Sequence, residues 1–246
     1  ADRNATIRFR TVDNVGNASE ESTIVVRRDT VVPTIASLTA STTAATNGKV
    51  TLTGKATDSL SGIIAFQFST NASLTASSSG WTTITATTAQ ISKTYAATAN
   101  GTYYFYVKDQ AGNIAKKSIT VSNIDKTAPT LSSINVTSPA TGTYKAGQVV
   151  TIVATYSENI YGNASKATIT SSTAPVLKIK FGTGTIRTAT FSSVNGKTIT
   201  YTYKIASGDN GRLATTSYTG TVYDQAGNIA KKSITVSNID KTAPTL

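Results

Sequence analysis

Twenty-three residues, DQAGNIAKKSITVSNIDKTAPTL, run from Asp109 to Leu131 and again, letter for letter, from Asp224 to Leu246. A diverged third copy, DNVGNASEESTIVVRRDTVVPTI, spans Asp13 to Ile35. Internal repetition constrains the fold before any local pattern does, because each copy must be the same supersecondary unit. All three share one order: an alternating run, an Asp-x-x-Gly-Asn turn, a second run, then Asp-x-x-x-Pro-Thr. That order predicts strand, tight hairpin, strand and linker. The linker residues Asp29, Asp125 and Asp240 then divide the chain into a C-terminal hairpin of a truncated module (1–28), a complete module (29–124), a larger module (125–239), and a linker opening a next module (240–246). A lone hairpin is marginal in water. The chain is therefore expected to be an excerpt of a longer array that continues at both ends.

The pattern between the repeats is that of strands. Apolar residues never hold helical spacing for three turns, whereas period-2 alternation recurs. Val50, Leu52, Gly54 and Ala56 alternate with Thr51, Thr53, Lys55 and Thr57, putting small and apolar groups on one face. Val150, Ile152, Ala154 and Tyr156 repeat that plan in the larger module. Further runs at Ile64–Phe68, Trp81–Ala86, Gln90–Ala97, Thr102–Lys108 and Ile114–Val121 give about seven short strands per module at the spacing of an immunoglobulin-like sandwich. In the larger module the expected strands are Val176–Phe181, Thr185–Phe191, Thr198–Ile205, Thr216–Tyr223 and Ile229–Val236. The fold class is thus all-β: tandem immunoglobulin-like β-sandwich modules with no helices of note. Tyr103 and Tyr218, near the starts of matching strands, occupy the place of a tyrosine corner.

Composition removes much chemistry. With no His, Cys or Met, there is no Ser/His/Asp or Cys/His triad, no zinc site of the usual ligand set and no disulfide. The 12 Asp and Glu residues sit mostly in turns and linkers, where nothing gathers a pair across a cleft as a glycosidase requires. The chain is expected not to be an enzyme. No apolar run approaches the length of a membrane span.

The Asp-x-Ala-Gly-Asn turn, the Lys-Thr-Ala-Pro-Thr-Leu linker, Asp58-Ser-Leu-Ser-Gly-Ile63 and Tyr156-Ser-Glu-Asn-Ile160 resemble bacterial immunoglobulin-like (Big-type) tandem repeats of exported surface proteins and adhesins. The resemblance covers essentially the whole chain. It implies an extracellular, cell-surface location and a structural role in a fibre, adhesin stalk or envelope layer, with neighbouring modules of the same or identical chains as partners.

Two sets of side chains are candidate sites. Sandwich topology brings the linker into each module at the pole that carries the loop after the second strand and the last hairpin turn. Asp29, Asp58, Asp109 and Asn113 are therefore expected to converge, as are Asp125, Glu158, Asp224 and Asn228. Clustered oxygens of this kind suit Ca²⁺ at module junctions, although no cofactor is required. Turn chemistry offers another explanation, since an Asp opening a tight turn accepts backbone N–H bonds and Gly supplies positive φ.

The second set concerns polymer binding. The net charge of +11 is concentrated in the larger module, where Lys178, Lys180 and Arg187 are placed to contact an anionic glycan or cell-wall polymer. Tyr104 and Tyr106, predicted to face outward near Trp81, would form a stacking platform. This binding module is the alternative to the stalk. Nucleic acid is not expected as a partner, because the aromatics are not interleaved with the basic run.

Overall fold

A computed structural model of the chain describes residues 4–139 and 144–234, with side chains up to residue 230. The linker expected from Asp240 lies outside the described residues. Every regular element among the described residues is a β-strand. No helix there is long and apolar enough to cross a membrane. The chain divides into two compact units, one of Ala1–Thr43 with Lys49–Ile124, the other of Ala44–Gly48 with the chain from Asp125 onward.

The first unit opens with a hairpin, β1 (Asn4–Phe9) paired with β2 (Ser22–Arg27). All twelve of its residues are exposed. Seven strands follow: β3 (Thr34–Ala40), β4 (Val50–Thr57), β5 (Ile63–Ser69), β6 (Thr82–Thr88), β7 (Gln90–Ala97), β8 (Gly101–Asp109) and β9 (Ile114–Val121). They form two antiparallel sheets, β3-β4-β7 and β6-β5-β8-β9. The alternation of β4 turns Val50, Leu52 and Ala56 into the core, against Ile63, Tyr103, Phe105, Val107 and Val121 of the other sheet. Gly54 belongs to the same inward row because of packing. A Cβ there would run into the Phe105 ring, closer than any real side chain sits. Tyr103 forms the expected corner, its hydroxyl donating to the Ala99 carbonyl at 2.8 Å.

The second unit comprises β10 (Leu131–Ser138), β11 (Val149–Tyr156), β12 (Val176–Phe181), β13 (Arg187–Thr188), β14 (Thr190–Asn195), β15 (Thr198–Lys204), β16 (Leu213–Tyr223) and β17 (Ile229–Ile234). Its sheets are β10-β11-β15-β14 and β13-β12-β16-β17. The core joins Val150, Ile152, Ala154 and Tyr156 of β11 and Ile199 and Tyr201 of β15 to Leu177, Ile179, Tyr218 and Val222. Both units are β-sandwiches built on one plan, but a fourth strand, β14, covers the edge of β15, whereas β7 ends its sheet among the described residues.

Two local expectations need correction. The run Thr185–Phe191 is not one strand. It splits between the two sheets as β13 and β14 around Ala189, which is buried and donates its N–H to Leu177 O at 2.9 Å. An apolar side chain and one backbone bond pin the crossing point, and alternation among threonines cannot reveal it. Tyr218 does not form a corner either. Its hydroxyl lies 3.1 Å from that of Tyr156 and 3.3 Å from that of Tyr201, and Tyr201 donates to Pro175 O at 2.6 Å. Each phenol has one proton, so the bonds run as a chain from Tyr156 through Tyr218 and Tyr201 to the Pro175 carbonyl. Burial raises the pKa of all three phenols.

Candidate metal centre

The Asp-x-x-Gly-Asn turns build the sites. Asp109 Oδ1 accepts the Asn113 N–H at 2.8 Å, Oδ2 accepts the Asn113 amide at 2.8 Å, and Gly112 takes φ of 93° to close the loop. The Asp224 turn is built alike: Oδ1 accepts from Ala226 and Asn228 N–H, both at 2.8 Å, and Oδ2 accepts the Asn228 amide at 2.7 Å. The third copy matches too, with Asp13 bonded to the Asn17 N–H and amide at 2.8 Å each. The Asn17 bonds hold the exposed Asp13 carboxyl below its ordinary pKa. Among the described residues Asp13 belongs to no acidic group, so there the turn forms from its own hydrogen bonds.

Around the other two turns the acids do gather. Carboxylate oxygens of Asp29, Asp58 and Asp109 lie within 4.8 Å of one another, as do those of Asp125, Glu158 and Asp224. Asp109 and Asp224 are fully buried, and Asp58 is nearly so. Asp58 accepts N–H bonds from Leu60 and Gly62 at 3.1 and 2.8 Å, and Asp29 accepts from Val31 at 2.9 Å and Ser61 at 3.1 Å. Hydrogen bonding from Ser61, then from Val31, lowers the pKa of Asp29. A carboxylate carries about four acceptor positions, so these bonds leave capacity for a cation among the three acids.

The second group is less satisfied. Asp125 accepts the Thr127 N–H at 2.9 Å, but the Glu158 carboxylate has no hydrogen-bond partner among the described residues. Burial, then the charges of Asp224 and Asp125, push its pKa up. A cation placed here would remove that repulsion.

Asn113 and Asn228 take a different part from that of oxygen ligands. The Asn113 amide nitrogen faces its own aspartate and donates to Asp29 O and Val31 O, both at 3.3 Å. Asn228 donates to Asp125 O at 2.9 Å and Thr127 O at 3.2 Å. An amide N–H cannot ligate a cation. It clamps the linker backbone to the last hairpin turn of the module that the linker enters. The constant Asp-to-Asn spacing marked these residues in the sequence, and only the fold shows which way the amide works.

The second set of candidates is divided between the units, the aromatics in the first and the bases in the second. Tyr106 is 1% exposed and offers no platform. The β5–β6 loop folds over the outer sheet face and is tied down: Tyr106 donates to Asn71 O at 2.9 Å, Lys116 to Ala72 O at 2.6 Å, Lys108 to Ala76 O at 3.1 Å and Trp81 to Thr75 O at 3.1 Å. Trp81 packs edge-on against Tyr106 at 6.4 Å, and Tyr104 remains half-buried beside it. Lys178 is exposed on β12 and Lys180 is partly so. Arg187 is engaged with Asp209, Nε to Oδ1 at 3.1 Å. Asp209 also accepts the Tyr203 hydroxyl at 2.6 Å and the Ala206 N–H at 2.8 Å. Burial alone would raise the Asp209 pKa, but those bonds and Arg187 lower it.

No family model matches this chain, and no curated protein matches it significantly.

Proposed function

We propose that this chain is a structural segment of an extracellular surface fibre, adhesin stalk or envelope layer, in which modules of the bacterial immunoglobulin-like type act as spacers. The observation that supports this reading most is the repeated linker clamp. In each unit one asparagine amide ties two carbonyls of the incoming linker to the final hairpin turn, and a proline follows in the linker at Pro33 or Pro129. Proline fixes φ and the clamp fixes the carbonyls, so each linker is held to the sandwich it enters, at the point where tension would arrive. A spacer needs that property and an enzyme does not. Neighbouring modules of the same or identical chains are the proposed partners.

The alternative, an anionic-polymer binding module, draws less support because Arg187 is engaged by Asp209 and Tyr106 is covered. Antibodies to the chain, applied to intact and to lysed cells of the source organism, test the proposal. Labelling of intact cells, without salt-sensitive retention of the purified chain on a polyanionic wall polymer, is the expected result. Labelling confined to lysed cells overturns the surface role, and salt-sensitive retention favours the binding reading.

A further inference from the structure

The two sandwiches differ at the sheet edge formed by β7 in one and β15 in the other. In the first unit β7 closes its sheet, with β4 on one side and no strand on the other among the described residues. In the second unit the matching strand, β15, is covered by β14. The registers align the two strands position by position. Lys93 sits opposite Gly54 and Ile199 opposite Ala154, so lysine stands at the open edge where isoleucine stands at the covered one. Ile199 is fully buried and pairs with Val194 of β14. Tyr95 and Tyr201 are likewise equivalent, yet Tyr95 is 41% exposed and Tyr201 1%. A fourth strand is what buries this row.

Lys93 lies on the inward face of β7, in line with Ile91, Tyr95 and Ala97. Its Nζ stands 5.1 Å from the centre of the Phe66 ring, so the stem covers apolar surface while the ammonium reaches the rim of the sandwich. The rest of the row invites a partner, because Tyr95 stacks on Phe68 at 5.4 Å and remains open to solvent. The β7 edge therefore combines free backbone groups, an apolar strip and one inward-pointing charge. An inward charge on an edge strand is a known obstacle to strand addition.

We infer that Lys93 guards the β7 edge against antiparallel pairing with the same edge of a second copy of this chain. Such pairing is two-fold symmetric, so residue i of one copy meets residue j of the other and j meets i, and only a residue at the axis meets itself. A register centred near Lys93 brings two ammonium groups together and seals both from water. The second unit needs no such guard, because its equivalent edge is occupied within the chain.

Full-length K93I, K93M and K93R test the inference by sedimentation analysis over a wide concentration range, with hydrogen exchange of the Ser92–Ala96 amides. K93I and K93M are expected to dimerise where wild type and K93R remain monomeric, with about tenfold slower exchange along β7 in the dimer. K93M retains the stem length and decides the matter if K93I does not fold. Folded, monomeric K93M at all concentrations overturns the inference. So does dimerisation of K93R equal to that of K93M, or a dimer in which the β7 amides exchange as in wild type.

Discussion

Glu158 has a raised pKa, two acidic neighbours and no hydrogen-bond partner among the described residues, so its charge should cost stability, and Glu158→Gln should restore it. At the 4.8 Å limit of the group, two like charges repel by about 1 kcal/mol in a water-like medium and ~3.5 kcal/mol at an effective dielectric of about 20. Glu158 is partly exposed, so solvent screening favours the lower figure. With Asp224 and Asp125 both acting, the variant should gain about 1 kcal/mol, a melting increase of roughly 3–5 °C for a unit of this size. The folded pKa is raised above the unfolded one. The carboxyl thus contributes stability at acid pH that is lost as pH rises through the folded value. The advantage of Gln should appear near neutral pH and vanish near pH 3.5, where both side chains are neutral. Thermal melts with chelator at the two pH values test this. Added Ca²⁺ should then stabilise wild type more than the variant if the acids take a cation, and leave both unchanged if they serve only their turns. A variant less stable than wild type at neutral pH with chelator would refute the reasoning.

Other substitutions probe separate parts of the structure. Asp209→Asn should destabilise the second unit by about 2 kcal/mol by weakening charged hydrogen bonds; because the Asp209 pKa is lowered, the penalty should shrink as pH falls through that value, as denaturant titrations would show. Tyr218→Phe should cost about 2 kcal/mol by leaving the buried Tyr156 hydroxyl without its acceptor. The raised pKa values of Tyr156, Tyr201 and Tyr218 contribute stability that is lost as pH climbs past the ordinary tyrosine range, so their ionisation should coincide with unfolding in an absorbance titration. Gly54→Ala should destabilise the first unit by about 1–3 kcal/mol, since the methyl group meets the Phe105 ring.

Features decided by neighbours along the chain were legible in the sequence. Alternation in β4 and β11 identified the inward rows, and the Asp and Gly residues identified the hairpin turns. Topology then brought Asp29 to Asp58 and Asp109, and Asp125 to Glu158 and Asp224, because a sandwich carries those segments at one pole. Features decided by residues far apart in sequence were not legible. Tyr106 alternates like an outward residue, but a loop anchored through Asn71, Ala72 and Ala76 covers it. Arg187 reads as a free cation until the fold places Asp209 beside it, 22 residues later. Asn113 was chosen for its oxygen, and its nitrogen makes the contacts that matter. The place of Lys93 at a sheet edge follows from the order of the strands, which its sequence neighbours do not show.

Stretching single molecules of the full chain between its ends tests the spacer account most directly. Two separate unfolding events should appear, releasing about 340 Å and about 400 Å of extended chain, less the folded length of each module, at roughly 3.5 Å per residue, and Asn113→Ala with Asn228→Ala should lower both forces. Smooth extension without discrete events would contradict the account, as would forces unchanged when both clamps are removed.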